Sequence, residues 1–221
     1  MFFISLGWRS VGLTFVIAGV LFGLSGRIGI PGFWGYLGVY LAASLVGVRV
    51  IHRDLIRERN NPAAQDPAGR RSAIALSLLS FAQWGLAALD VGRFHWSPQL
   101  PRAIQFGSLA IFAALCAIVL WSLRVNRYFS SVVRLQADRG QTVVSEGPYR
   151  AVRHPGYSAV LFGWIVGALA LGSLAALLPG LAIVPVLLIR TAKEDRMLFR
   201  HLPGYVLYSA ATPFRLVPGV W

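Results

Sequence analysis

Residues 157–189 read YSAVLFGWIVGALALGSLAALLPGLAIVPVLLI, a tract of 33 residues without one Asp, Glu, Lys, Arg or His. A helix needs about 20 apolar residues to cross a bilayer core about 30 Å thick. The tract is therefore long for one crossing and short for two, and its flanks decide between them. Arg124, Arg127, Arg134, Arg139, Arg150 and Arg153 precede it; Arg190, Lys193, Arg196, Arg200 and Arg215 follow it. Basic segments gather on the cytoplasmic side of a membrane, so a single crossing would strand one of these flanks on the wrong face. The tract is expected to enter and return as a helical hairpin with arms of roughly 15 residues, tilted or re-entrant. Its breakers, Gly172-Ser173 and Pro179-Gly180, suit a turn buried in protein rather than bare lipid.

Working outward, residues 11–25, 33–50, 73–91 and 104–123 are further apolar runs of near-spanning length. The first, extended by residues 5–8 at the interface, lacks an Ala-x-Ala exit and is followed by more spans, so its cleavage as a secretory signal is not expected. Residues 52–72 (HRDLIRERNNPAAQDPAGRRS) read as a charged helix end followed by a loop. The sum is an all-α integral membrane protein of about five to six transmembrane helices, the last two forming the hairpin. It forms one membrane domain over residues 1–221, with four spans in 1–123 and the polar segments and hairpin in 124–221.

Composition agrees. Hydrophobic residues make up 56% and charged residues 13%, against about 25% charged in soluble domains, and the mean hydropathy is +0.63. A soluble globule and a disordered chain are both disfavoured. The net charge of +13 comes from 21 Lys+Arg against 8 Asp+Glu. A nucleic-acid binder spreads such charge over a soluble domain; here it lies between apolar runs, and no nucleic-acid partner is expected. With the N-terminus, residues 49–71 and 124–153 and the C-terminal tail in the cytoplasm, eighteen basic residues fall inside and three, Arg27, Arg93 and Arg102, outside. Cys116 is single, so the chain holds no internal disulfide framework. His52, His95, His154 and His201 show no metal-ligand spacing, and no metal is expected. No internal repeat supports an inverted-repeat transporter.

Two polar segments flank the hairpin on one face. In FSSVVRLQADRGQTVVSEGPYRAVRHPGY (129–157), Thr142-Val143-Val144 is a short extended apolar patch and Glu146-Gly147-Pro148-Tyr149 a turn. Pro155 then opens a helix. Unpaired N–H groups at a helix start, the rings of Tyr149 and Tyr157, and a titratable His154 would serve an adenosine-type ligand. The same Arg, His and Tyr residues also fit plain anchoring at the headgroup level. In LLIRTAKEDRMLFRHLPGYVLYSAATPFRLVPGVW (187–221), Arg190 and Glu194 share a helix face, with Asp195 and Arg196 beside them. A carboxylate there can neutralise a sulfonium, and an arginine can clamp a substrate carboxylate through two hydrogen bonds; a surface i,i+4 pair is the alternative. Leu198, Phe199, Leu202, Tyr205 and Tyr208 read as an amphipathic stripe packing on the membrane face, broken by Pro203-Gly204 and Pro213, with core packing expected for most of the aromatics.

Gly147-Pro148-Tyr149, Arg153-His154-Pro155-x-Tyr157, the hairpin, Arg190-x-x-x-Glu194-Asp195-x-x-Leu198 and Pro203-Gly204-Tyr205-x-x-Tyr208 occur in that order. From Phe129 onward this arrangement resembles the isoprenylcysteine carboxyl methyltransferase family, which is related to the membrane phospholipid methyltransferases. The three N-terminal spans match only as hydrophobic helices. The resemblance implies an integral membrane enzyme using S-adenosyl-L-methionine, with no Rossmann sheet; consistently, no strand–Gly-x-Gly-x-x-Gly–helix unit is present. Carried over by position, the cofactor would contact Arg134, Gln141, Thr142, Val143, Val144, Tyr149, His154, Pro155, Gly156, Tyr157 and Glu194. Arg190 and Glu194 take the catalytic places, Arg190 beside the substrate carboxylate. Gln141 stands where relatives often have His, and an amide cannot titrate.

Methyl transfer from a sulfonium to a carboxylate is an in-line displacement by a nucleophile already anionic at neutral pH. The protein must supply proximity, alignment and exclusion of water. The expected acceptor is lipophilic or lipidated, a prenylcysteine-like carboxylate entering from the bilayer among membrane lipids, while the cofactor enters from the cytoplasm. An amine acceptor, as in phospholipid N-methylation, would need a base such as His154 or Glu194. A NADPH-dependent membrane reductase of the steroid-reductase type shares the helical layout and is the competing enzyme class. A non-catalytic scaffold or transporter is disfavoured, because the ionisable residues cluster at one interface rather than at the midplane. The expected location is multi-pass in the inner membrane of a bacterium or the endoplasmic reticulum of a eukaryote, with the site facing the cytoplasm.

Overall fold

A computed structural model describes residues 2–51, 67–129 and 134–221. Seven α-helices occur among the described residues, without a strand: α1 (Phe2–Ser25), α2 (Pro31–Val50), α3 (Pro67–Leu89), α4 (Arg102–Val125), α5 (Pro155–Ala170), α6 (Leu177–His201) and α7 (Tyr205–Ala211). A π-helical turn, Asp90–Phe94, prolongs α3, and 3₁₀ turns lie at Ala137–Arg139 and Gly147–Arg150. The charged helix end and loop expected at 52–66, with Arg53, Arg57 and Arg59, fall outside the described residues. Residues 67–72, read from the sequence as loop, are instead the first turns of α3. Its opening Pro67 lacks only an N–H that a first helical turn leaves unpaired anyway.

Among the described residues, three helices are long and apolar enough to cross a membrane: α2, residues Gly69–Phe94 of α3 with its π turn, and α4. Val11–Ser25 of α1 and the whole of α5 are shorter apolar helices. The remaining hairpin arm, α6, is apolar through Ile189 and then carries Arg190, Lys193, Glu194, Asp195, Arg196 and Arg200. It therefore joins an apolar half to a polar one, and the apolar half falls short of the about 20 residues that cross a bilayer core.

The hairpin exists, and its turn sits at the first of the two breakers. Gly172, at φ +84°, takes the left-handed conformation that reverses the chain between α5 and α6. The second breaker lies inside the first turns of α6. There a Cβ on Gly180 would come within 3.0 Å of the Gln83 amide and 3.2 Å of the Trp164 carbonyl. That close approach lets Gln83 of α3 donate to the Trp164 carbonyl at 2.7 Å and the Ala176 carbonyl at 3.2 Å, tying α3 to both arms. Where lipid offers no hydrophobic drive between helices, small residues and such polar stitches hold the bundle.

The core beneath is built from Ile17 and Leu21 of α1, Phe33, Tyr36 and Leu37 of α2, Trp84, Ala87 and Ala88 of α3, and Phe112 of α4, closed by Ala168, Ala170 and Leu171. Outside, Phe15, Leu78, Phe106, Trp121 and Leu178 are exposed. Apolar outside as well as inside, this is the surface of a protein solvated by lipid chains. The end of α4, the start of α5 and the charged half of α6 meet at one end of the bundle, where the motif residues lie.

Candidate active site

Asp195 organises that end. Its carboxylate, almost wholly buried on α6, accepts a two-pronged pair from Arg153 (Nε at 2.8 Å, Nη2 at 3.1 Å). Arg215 Nε donates at 2.7 Å and Tyr205 Oη at 2.8 Å, with His154 Nε2 at 3.4 Å. Burial alone would raise its pKa; the donations from His154, Arg153, Arg215 and Tyr205 outweigh it and hold the group well below the usual carboxylate range. Arg153 also donates Nη1 to the carbonyls of Thr212 and Pro213, both at 2.8 Å. The backbone N–H groups of Arg153 and His154 reach the carbonyls of Phe214 and Arg215 at 2.9 Å. The C-terminal stretch is thereby strapped across the start of α5.

One turn earlier on α6 lies a second linkage. Arg190 Nε donates to the Tyr157 hydroxyl at 2.9 Å, and that hydroxyl donates to Glu194 Oε2 at 2.7 Å. Spacing of i,i+4 puts Arg190 and Glu194 on one face of α6, and Tyr157, at the start of α5, reaches across to bridge them. The Arg190 guanidinium also lies 5.7 Å from the Tyr157 ring centroid, within cation–π reach. Phe129 meets that ring edge-on, the centroids 5.6 Å apart. A Cβ on Gly156 would stand 2.2 Å from Phe129, so only glycine admits this packing.

Between these linkages and the 140s segment runs a narrow cleft of about 50 Å³. Gln141, Thr142, Val143, Val144, Tyr149, His154, Gly156, Tyr157 and Glu194 all line it. Two positions named with them do not. Arg134 lies at the surface on Asp138, Nη1 to Oδ1 at 2.8 Å, and Pro155 serves the first turn of α5. Arg190 is buried behind the wall and reaches the cleft through Tyr157. The Gln141 side chain is engaged as an acceptor, its Oε1 taking the Gln136 N–H at 2.7 Å.

The cleft also has walls that sequence reasoning assigned to packing or did not single out: Asn126, Tyr128, Phe129, Leu198, Leu202, Tyr205 and Tyr208. Tyr208 donates to the Tyr149 carbonyl at 2.7 Å, and burial pushes its own pKa up to about 12. The expected amphipathic stripe therefore faces inward under the cleft, except for Phe199, which is exposed. Six aromatic rings, backbone outside any helix at 141–145, a carboxylate and an imidazole on one cleft are the donor set a nucleoside carrying a sulfonium and an amino acid would use. The residues present fit S-adenosyl-L-methionine in kind.

Residues 106–200 match the model of the Isoprenylcysteine carboxyl methyltransferase (ICMT) family. The match covers 95 of the 221 residues, and this segment is similar to that family. Two similar proteins, from Oryza sativa subsp. indica and subsp. japonica, are each named a probable protein-S-isoprenylcysteine O-methyltransferase. Each is 30% identical over 107 residues, 45% of this chain and 56% of the relative. The chain thus spans about half the length of the curated relatives it matches. The family segment takes in α4, α5, the 140s wall and α6 through Arg200; Tyr205, Tyr208 and Arg215 complete the site from beyond it.

Proposed function

We propose that the protein is a multi-pass membrane methyltransferase that moves a methyl group from S-adenosyl-L-methionine to the carboxylate of a lipophilic, prenylcysteine-like acceptor. The observation that carries this is the Arg190–Tyr157–Glu194 linkage set against a cleft of the right donor chemistry, within a methyltransferase-family segment. S-adenosyl-L-methionine, when bound, supplies the electrophilic methyl. Glu194 would face its positive charge, and the 141–144 backbone with Tyr149 and His154 would hold its nucleoside. Arg190 would orient the acceptor carboxylate. Its Nε is already fixed on Tyr157, which steers the guanidinium without fully quenching the nucleophile.

The acceptor's chain has a place to lie. An apolar cavity of about 360 Å³ is lined by Tyr36, Tyr40, Phe81, Trp84, Phe112, Ala159, Gly163 and Trp164. Its α5 lining starts at Ala159, two residues after Tyr157, so a lipid tail there would lie on the same helix as the linkage. Carboxylate is favoured over amine as the acceptor because the two candidate bases are already engaged, His154 toward Asp195 and Glu194 with Tyr157. The cleft end of the bundle would face the cytoplasm, as the distribution of arginine suggests.

The test is transfer of radiolabelled methyl groups to a prenylcysteine analogue in detergent, by the wild type and by Arg190→Ala. A hydrogen bond to a charged group contributes about 1.5–3 kcal/mol, so the variant should lose about 10- to 100-fold in kcat/KM. Undiminished transfer would remove Arg190 from the mechanism. Titration with S-adenosylhomocysteine and with NADPH separates the methyltransferase from a reductase: binding of NADPH alone would overturn the assignment.

A further inference from the structure

The three arginines that the charge pattern leaves outside are not scattered. A second polar pocket, of about 250 Å³, is lined by Arg27, Arg102, His95, Gln99 and Gln105, with Asp90 at its floor. Arg93 stands beside it, its guanidinium 3.6 Å from where a Cβ on Gly26 would lie. The pocket opens at the start of α4, whereas the catalytic cleft lies past its end. The 24 residues between place the two sites about 36 Å apart at 1.5 Å per residue.

Charge balance at this pocket favours an anion. Asp90 is buried and its carboxylate points inward, accepting the Ser97 N–H at 2.8 Å as well as the hydroxyls of Ser97 and Ser173. Arg27, Arg93, Arg102 and His95 are exposed around the mouth, and none is paired with a carboxylate among the described residues. The first turns of α2 and α4 both border the pocket, through Pro31 and Arg102, and their N-terminal dipoles add to the positive potential.

The surroundings say where the anion comes from. Trp34, three residues after the lining Pro31, and Phe94 and Trp96, which flank the lining His95, are exposed; Phe94 and Trp96 stack with centroids 4.9 Å apart, and Trp34 Nε1 donates to the Ile28 carbonyl at 2.7 Å. Exposed aromatic rings near a helix end mark the headgroup level of a bilayer. Ile104 and Phe106 continue below them as exposed apolar surface on α4. A phosphate entering the pocket would thus have its acyl chains directed down a lipid-facing helix.

We propose that this pocket binds the phosphate of a phospholipid headgroup from the leaflet opposite the cleft, with Arg27 and Arg102 as its principal ligands. The shared chemistry is a phosphate; its source is what the experiment separates. Full-length protein in detergent is delipidated and given phosphatidylglycerol, diacylglycerol or inorganic phosphate, with bound lipid read by native mass spectrometry and Tm followed in parallel. The wild type should retain phosphatidylglycerol and gain Tm, and diacylglycerol should do neither. Arg27→Gln/Arg102→Gln should hold the lipid about 30-fold less, and Arg27→Lys/Arg102→Lys should recover part of it. Equal retention of diacylglycerol, or unchanged retention by the glutamine variant, would overturn the site. Equal gain in Tm from inorganic phosphate would overturn the lipid as its source. If the glutamine variant elutes aggregated, the wild-type comparison of the three additives still decides.

Discussion

Tyr157 and Asp195 carry more of the site than their neighbours do. Tyr157→Phe removes one hydroxyl yet cuts both hydrogen bonds that join Arg190 to Glu194. The expected result is a folded protein whose kcat falls about tenfold, with little change in Tm, measured by methyl-transfer kinetics beside thermal melting. Asp195→Asn should act the other way, on stability. Removing one member of a buried ion cluster costs about 3–5 kcal/mol, because Arg153 stays buried against a neutral amide. The pH dependence has a definite sign. A carboxylate whose folded pKa is depressed stabilises the fold above its unfolded value, about 3.9, and loses that contribution as pH falls toward the folded value. Wild-type Tm should drop steeply below about pH 4, while Asp195→Asn starts lower and stays flatter. At this scale the sequence was legible in part. Arg190 and Glu194 show themselves by i,i+4 spacing, but that Asp195 is the hub depends on Arg153, Tyr205 and Arg215 arriving from distant parts of the chain, which no local pattern encodes.

Helix ends and breakers set the geometry of the elements. The hairpin was legible because its flanks share one charge sign, and its turn fell at Gly172, where a left-handed backbone is required. Pro179-Gly180 looked like an equal breaker, yet it lies within α6, since a proline in the first turn costs no hydrogen bond and Gly180 is used for close packing on Trp164. The π turn was not legible, because it answers a tertiary contact: a Cβ on Gly92 would stand 2.4 Å from Ser25 Cβ. Gly92→Ala should therefore separate α1 from α3 and lower Tm, with overpacking typically costing about 1–3 kcal/mol. Gly156→Ala should displace Phe129 from the Tyr157 ring and weaken S-adenosylhomocysteine binding more than it lowers Tm, since the clash lies in the cleft wall. Calorimetric titration together with melting curves separates the two effects.

Across the whole molecule, one end of the bundle gathers the ionisable chemistry, the middle is apolar within and without, and the other end holds three arginines around a second pocket. The sequence carries this gradient openly in its charge pattern, since membrane insertion acts on composition along the chain. It does not carry the span count, because α6 changes from apolar to charged along a single helix. The orientation has a direct check: a single cysteine placed at Arg200, in a Cys116→Ala background, should react with a membrane-impermeant maleimide only after the membrane of sealed cells is opened, and one placed at Gln99 should react before. The proposed activity is methyl transfer to a carboxylate on a lipophilic acceptor. Purified wild-type protein, given radiolabelled S-adenosyl-L-methionine and a prenylcysteine analogue, should yield a product that releases its label as methanol on treatment with base. A labelled product stable to base, or no label transferred to any lipophilic carboxylate, would contradict it.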